Sequence, residues 1–167
     1  AMFELWKEAL PEFRDAYFLT SGPTAGARES RRIVGDYTLT GDDIRQAKRQ
    51  HDVVVLGAWR IDRHPVQETG YHHMPMVPPY DISYRTLLPQ GIDNLWVAGR
   101  CHSATSEALA SSRVTANAMG MGQAAGTAAA MASATDGGSR EVSITELQDR
   151  LVAAHAILDP ASAMAPS

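Results

Sequence analysis

GIDNLWVAGRCHSATSEALASSRVTANAMGMGQAAG, residues 91–126, is the stretch that decides how this chain folds. Pro89, Gln90 and Gly91 make a turn. Leu95 to Ala98 is a short apolar run, which predicts a short buried strand. The run ends at Gly99, a Gly-Arg loop follows, and a helix of small residues opens near Val114. In open α/β sheets, ligands sit outside the carboxyl ends of the strands. A helix start placed there offers unpaired N–H groups and a partial positive charge. That end stabilises an anion by about 0.3–2 kcal/mol. A large charged ligand therefore needs backbone contacts, an arginine and apolar walls as well. Gly99, Gly120 and Gly122 would remove bulk where backbone approaches such a ligand. On spacing alone, a plain strand–loop–helix with small residues for helix–sheet packing fits equally well.

The whole chain has 167 residues, enough for one domain with its own core. Its net charge of −4 argues against a nucleic-acid or anionic-membrane partner, either of which calls for a basic face. Cys101 is the one cysteine, so no disulfide forms within the chain and a cytoplasmic location is the default. No secretory signal opens the sequence. Val114 to Ala134 carries no charge and has the length of a membrane span. It is built of Ala, Gly, Ser and Thr with Asn117 and Gln123 inside, which predicts a helix buried between protein layers. Gly122 and Gly126 form a GxxxG pair, read here as packing and not as a membrane dimer.

Working outward, Phe3 to Arg14 has helical spacing interrupted at Pro11. Tyr17 to Thr20 favours a short strand. Residues 27–39 favour extended chain, with Gly35 marking a close backbone approach. Thr40 caps a helix running to about Gln50. Val53 to Leu56 has the pattern of a fully buried strand. Residues 60–79 form a long loop, and Tyr80 to Leu88 is extended. Glu107 to Ala110 makes a helical turn. Ser143 and Glu146 open a terminal helix to about Ile157, and the tail from Asp159 is expected to be disordered.

Two clusters carry candidate chemistry. In RESRR (28–32), an extended chain puts Arg28 and Arg32 on one face and Arg31 on the other. Such arginines hold a carboxylate bidentately, or form a solvated face paired with Glu29. In WRIDRHP (59–65), Asp62 and His64 are two residues apart and share a side of an extended segment. A carboxylate there would orient the histidine as a general acid or base; a plain surface histidine is the other reading. His72 and His73, with His64, Asp62 and Glu68, match no standard zinc spacing, and no metal is expected. Tyr84 and Arg85 would line a substrate side beside Tyr80 and Asp81. Cys101 is open between an inert buried thiol, a redox thiol and a cofactor neighbour.

Three blocks, GARESRRIVGDYTLT (26–40), DISYRTLLPQGIDNLWVAGRC (81–101) and SSRVTANAMGMGQAAGTAAA (111–130), occur in order. Together they resemble the last third of a family of FAD-dependent oxidoreductases with the glutathione-reductase-like two-dinucleotide fold. These are distant relatives of the fumarate reductase and succinate dehydrogenase flavoproteins. The resemblance covers about residues 20–133. It implies an α/β fold, the C-terminal part of an FAD/NAD(P)-binding-type fold. Residues 1–79 would be a substrate or cap segment, 80–135 the FAD-contacting strand–loop–helix, and 136–167 a linker, terminal helix and tail.

The resemblance places Ala98, Gly99 and Arg100 beside the FAD ribityl and pyrophosphate. It aims the helix after Arg113 and Val114 at the isoalloxazine ring, where its positive end would favour the charge of the reduced ring. The implied cofactor contacts are Gly99, Arg100, Cys101, Arg113, Val114 and Gln123. The implied catalytic residues are His64, Asp62, Arg28 and Arg32, moving hydride between a small-molecule substrate and FAD. Departures fall at His102, often small or apolar in the family, at Ser106, often His, and at Ala118, often Cys. The GxGxxG fingerprint of this fold is absent. The resemblance therefore implies a C-terminal portion, with a second polypeptide carrying the GxGxxG half. A non-catalytic interaction or scaffold fragment is the alternative.

Overall fold

The computed structural model describes residues 2–24, 26–63, 76–135 and 137–163. The first helix, α1 (Met2–Ala9), ends before Pro11, and a 3-10 turn covers Pro11–Phe13. Pro11 sits where its missing N–H costs nothing, at the start of that turn. None of the residues of α1 is buried. Its aromatic neighbours are local: Trp6 against Phe13 and Phe3 against Phe18. Tyr17 to Leu19 is exposed and unpaired, so the strand expected there does not form. Nothing among the described residues pairs with its backbone, and a strand needs a neighbour.

Helix α2 (Gly41–Arg45) starts as its sequence demands. Thr40 Oγ1 accepts from Asp43 N, and Asp43 Oδ2 accepts from Thr40 N at 2.9 Å, closing a capping box. It stops short of the expected Gln50 because Ala47 turns to φ 50°. A left-handed residue ends a helix, and Lys48 N then donates to the Asp43 carbonyl at 2.9 Å.

The sheet has two antiparallel strands, β1 (Val53–Gly57) and β2 (Tyr80–Ser83), paired Val55 to Ile82 and Gly57 to Tyr80. Gly57 is required: a Cβ there would lie 2.6 Å from Tyr80 Cζ. The extended run expected to reach Leu88 ends at Ser83 instead, where Tyr84–Leu87 coils into a 3-10 turn. Thr86 Oγ1 donates to the Ser83 carbonyl at 2.7 Å and fixes that turn.

Residues 33–39 are extended, as expected, but are laced rather than paired into a strand. Gln90 N donates to Val34 O, Ile33 N to Cys101 O and Thr105 N to Leu39 O, each at 2.9 Å. The close approach expected at Gly35 is real, since a Cβ there would meet Ser103 Cβ at 2.7 Å. Leu95 to Ala98 is not the buried strand its apolar run predicts. Leu95 is exposed, Trp96 to Ala98 are half-buried, and Val97 N finds the Leu87 carbonyl at 2.9 Å. The neighbouring backbone is a turn, which offers a single acceptor and not a ladder.

Helix α3 (Ser106–Ser112) is capped by Thr105. Helix α4 (Thr115–Thr135) buries one stripe, Asn117, Met121, Ala124, Ala128 and Ala132, at helical spacing. It packs on β1 and on α5 (Ile144–Ala153), while Met119 on another face is exposed. The helix is therefore covered on one side and not enclosed between layers. Among the described residues, no helix is long and apolar enough to cross a membrane. Ser143 Oγ caps α5 as expected, and α5 ends near Ala154, with His155 at φ 65°. Leu158 is buried in the core, and in the tail expected to be disordered α6 (Pro160–Ala163) forms; residues 164–167 lie outside the described residues.

The interior also holds a polar clamp. Asp52, 1% exposed, accepts from Ser83 Oγ at 2.5 Å and from Arg85 Nε at 2.8 Å. Burial alone would raise its pKa, but the hydrogen bonds from Arg85 and Ser83 outweigh it and hold the carboxyl below its usual range. Beside it, Asp81 accepts from Gln50 N at 2.7 Å and lies 3.0 Å from Arg49. Burial pushes the Asp81 carboxyl up.

Candidate functional site

The turn Gly99–Cys101 is a 3-10 turn packed on α4. Gly99 has φ 78°, a conformation that side-chain-bearing residues adopt at a cost. A Cβ there would meet only Ala118 Cβ, at 3.8 Å, so the space in front of the glycine is open. Arg100 and Cys101 are exposed, and Cys101 Sγ points to the Ala98 carbonyl at 3.3 Å. The thiol is therefore not buried. Thr115 and Ala116, the first residues of α4, are also exposed, and Val114 is half-buried.

His102 follows the turn and is fully buried, its Nε2 2.8 Å from Ser112 Oγ. Burial, with the positive Arg32 nearby, pushes it down to about 4. It is a neutral histidine at ordinary pH and ties the turn to the end of α3.

The chain bends at Arg28 and Glu29, so RESRR is not extended throughout as expected, and its arginines take separate partners. Arg28 pairs with Asp62 at 2.9 Å, and Arg32 pairs with Glu29 at 2.6 Å. Arg113, the residue that ends α3, reaches across to donate to the Asp62 carbonyl at 2.8 Å. Burial, then the neighbouring Arg28 charge, lowers the Arg113 pKa. Asp62 N in turn donates to Ala110 O at 3.3 Å. Three expected residues, Arg28, Asp62 and Arg113, thus meet in one charged cluster, and Arg32 pairs with Glu29 beside it. His64, His72 and His73 lie outside the described residues.

Gln123 is elsewhere. It lines a separate apolar groove with Val54, Leu56, Met119 and Ile157, on a different face of α4 from Ala118. Gly120 packs against Val55, where a Cβ would lie 3.0 Å from Cγ2; it serves the sheet and not the Gly99 loop. Tyr80, Asp81 and Tyr84, expected near a substrate side, are buried in the interior, and Arg85 is half-buried and held by Asp52. Tyr84 Oη donates to Ser139 O and accepts from Trp96 Nε1, and Tyr80 Oη is 2.7 Å from Ser111 Oγ. Burial pushes the Tyr80 hydroxyl up to about 12. Among the described residues, no group of three or more His, Cys, Asp or Glu side chains converges as a metal site.

One residue was passed over by sequence reasoning. Arg31 lines a cleft with Ser30, Ala98, Arg100 and Cys101. Alternation in sequence sets Arg31 apart from Arg28 and Arg32 but gives it no role.

An open glycine turn and an exposed arginine beside the start of a long small-residue helix, in a mixed helix-and-sheet domain, are compatible with an α/β flavoprotein. A family model described as FAD dependent oxidoreductase matches residues 1–151, and the chain belongs to that family. Members of the family are FAD dependent. The match reaches past both ends of the region, about residues 20–133, that carries the sequence resemblance. No curated protein and no solved structure matches the chain.

The residues present fit the cofactor. Gly99 presents bare backbone, Ala98 and Ala118 add little bulk, and Arg100 supplies an exposed cation for a phosphate-bearing ligand.

Proposed function

We propose that this chain supplies the C-terminal, flavin-contacting portion of an FAD-dependent oxidoreductase that moves hydride between a small-molecule substrate and FAD. The observation that carries the reading is the Gly99–Cys101 turn. Its glycine is held at φ 78° against α4, within a chain that matches the family over residues 1–151. When bound, FAD supplies the two-electron chemistry, and the protein supplies position and charge.

Gly99, Arg100, Cys101 and Val114 would hold the cofactor near the start of α4. Arg113, anchored on the Asp62 carbonyl, adds positive charge there. If Gln123 contacts the cofactor, it does so from the β1 groove and not from the Arg100 cleft. Arg28 would bind the substrate, with Arg32 behind it. Asp62, already engaged by Arg28, orients that arginine, and His64 carries the proton. Residues 1–79 then form the substrate side, 80–135 the cofactor side and 136–167 the closing helix and tail.

A second polypeptide carrying the GxGxxG half completes the enzyme in this reading. The exposed Trp6, Phe13, Phe18 and Leu19 support it, since α1 packs mainly on its own following turn. The location is cytoplasmic, on the strength of a single exposed thiol.

The test is native mass spectrometry of the protein as purified, with FAD added in excess. A species carrying the 18.0 kDa chain and FAD is expected, with or without another polypeptide. A chain that stays flavin-free both alone and with the polypeptide carrying the GxGxxG half overturns the proposal. If FAD is held, His64→Asn should lower turnover while flavin retention is unchanged; unaltered turnover removes the proton role.

A further inference from the structure

Many arginines here are neutralised: Arg28 by Asp62, Arg49 by Asp81, Arg85 by Asp52, Arg140 by Asp36 and Asp93. Arg14, Arg31, Arg60, Arg100 and Arg113 have no such pair among the described residues, and of these Arg31 and Arg100 share a cleft of about 440 Å³. Two guanidinium groups facing shared space with no counter-charge repel each other. An oxyanion between them removes that repulsion and matches their planar forks. Ser30 adds a hydroxyl on the same rim, and Ala27 and Ala98 leave room beyond the charged end.

We propose that Arg31 and Arg100, assisted by Ser30, form a binding site for an oxyanion group of an organic ligand. The shared chemistry is a phosphate or carboxylate oxygen set. Its two sources are the diphosphate of the cofactor and a carboxylate on the substrate. The site shares Arg100 with the flavin reading and extends it by Arg31, a residue of RESRR outside the Arg28–Asp62 pair. It rests on that reading only for the identity of the ligand; the ion alone is the probe.

Cys101 makes the test simple, because it lies in the cleft and is the one cysteine of the chain. Labelling by neutral N-ethylmaleimide, followed by mass spectrometry, reports access to the cleft. Inorganic pyrophosphate and malonate are titrated separately, with no flavin present. At saturation, at least one should slow labelling about threefold or more, and Arg31→Ala or Arg100→Ala should raise the concentration needed about tenfold, the loss of a charge-assisted bond. Arg31→Lys should recover part of the effect. Arg150→Ala, which removes an arginine paired with Glu146 on the surface of α5, should leave it unchanged.

Stronger protection by pyrophosphate assigns the site to the diphosphate, and stronger protection by malonate assigns it to a substrate carboxylate. Protection by neither ion, or protection that survives in both alanine variants, overturns the proposal. A protein that never retains FAD yet shows the expected protection would sink the flavin reading and leave the oxyanion site standing.

Discussion

Two 3-10 turns of this protein each carry an arginine, and the two arginines are treated in opposite ways. In Tyr84–Leu87, Arg85 is held by the buried Asp52 carboxylate at 2.8 and 3.1 Å, and it stacks over Tyr37. In Gly99–Cys101, Arg100 is exposed and without an acidic partner among the described residues. The first turn follows β2 and packs on α4, and its charge is spent on holding the fold. The second sits at the start of α4, where a fold-holding pair would block the space. The difference teaches where to look for function: an arginine with nothing to neutralise it is available to a ligand.

The comparison breaks first at Asp52. Asp52→Ala leaves Arg85 and Ser83 without their acceptor and should cost about 3 kcal/mol, read as a lower urea midpoint. A loss below about 1 kcal/mol would mean that the inner turn does not depend on its clamp.

A comparable effect should appear on acidification, at the residue that closes the outer turn. His102 is neutral in the fold and its pKa is pushed down to about 4. Its stabilising contribution is full above the ordinary histidine value near 6.5 and disappears as pH falls towards 4, since the unfolded chain takes up the proton first. The loss is about 3 kcal/mol. Chemical denaturation of wild type and His102→Gln across that window checks it; parallel curves would refute the assignment. Asp52 acts on the same limb at lower pH, with its stabilisation lost as pH falls through its depressed value.

A smaller effect is expected at Gly99. A Cβ meets only Ala118 at ordinary contact distance, so Gly99→Ala pays backbone strain alone, about 1 kcal/mol. Thermal melting measures it. A much larger loss would show that the turn is packed more tightly than its open front implies.

The smallest effect sharpens the comparison. Arg100→Ala should leave stability within about 0.5 kcal/mol of wild type, whereas Arg85→Ala, which strands the Asp52 carboxylate, should not. Equal losses would erase the distinction between the two turns.

Much of this could be read from residues in sequence. The Thr40 cap, the Val53 strand, the break at Pro11 and the Gly35 contact each follow from a local rule that tertiary packing did not overrule. Leu95 to Ala98 and Tyr17 to Thr20 failed for one shared reason. An apolar run states a preference for extended chain, but a strand exists only where another backbone accepts it. The helix from Thr40 ended early because Ala47 went left-handed, which alanine gives no hint of. At the site, Arg28, Asp62 and Arg113 come together, a grouping that no spacing in the sequence stated. Arg31 did not stand out, because alternation separates faces but cannot say which face meets Arg100. Tyr84 and Arg85 read as polar enough for a ligand wall, but Tyr84 is buried against Ser139 and Trp96, and Arg85 is drawn to the buried Asp52.

Gly120 gives the molecule a tolerance problem. It lets α4 ride close to Val55, and Ala118, two residues earlier on the same rigid rod, faces Gly99. Any residue that wedges the helix away from the strand at position 120 must tilt the rod or slide it. The gap in front of the glycine turn would then change, although nothing at the turn had been altered. Sheet and loop are thus held in register by the absence of a single methyl group, so a ligand gripped at Arg100 would sense errors in packing made on the far side of the helix.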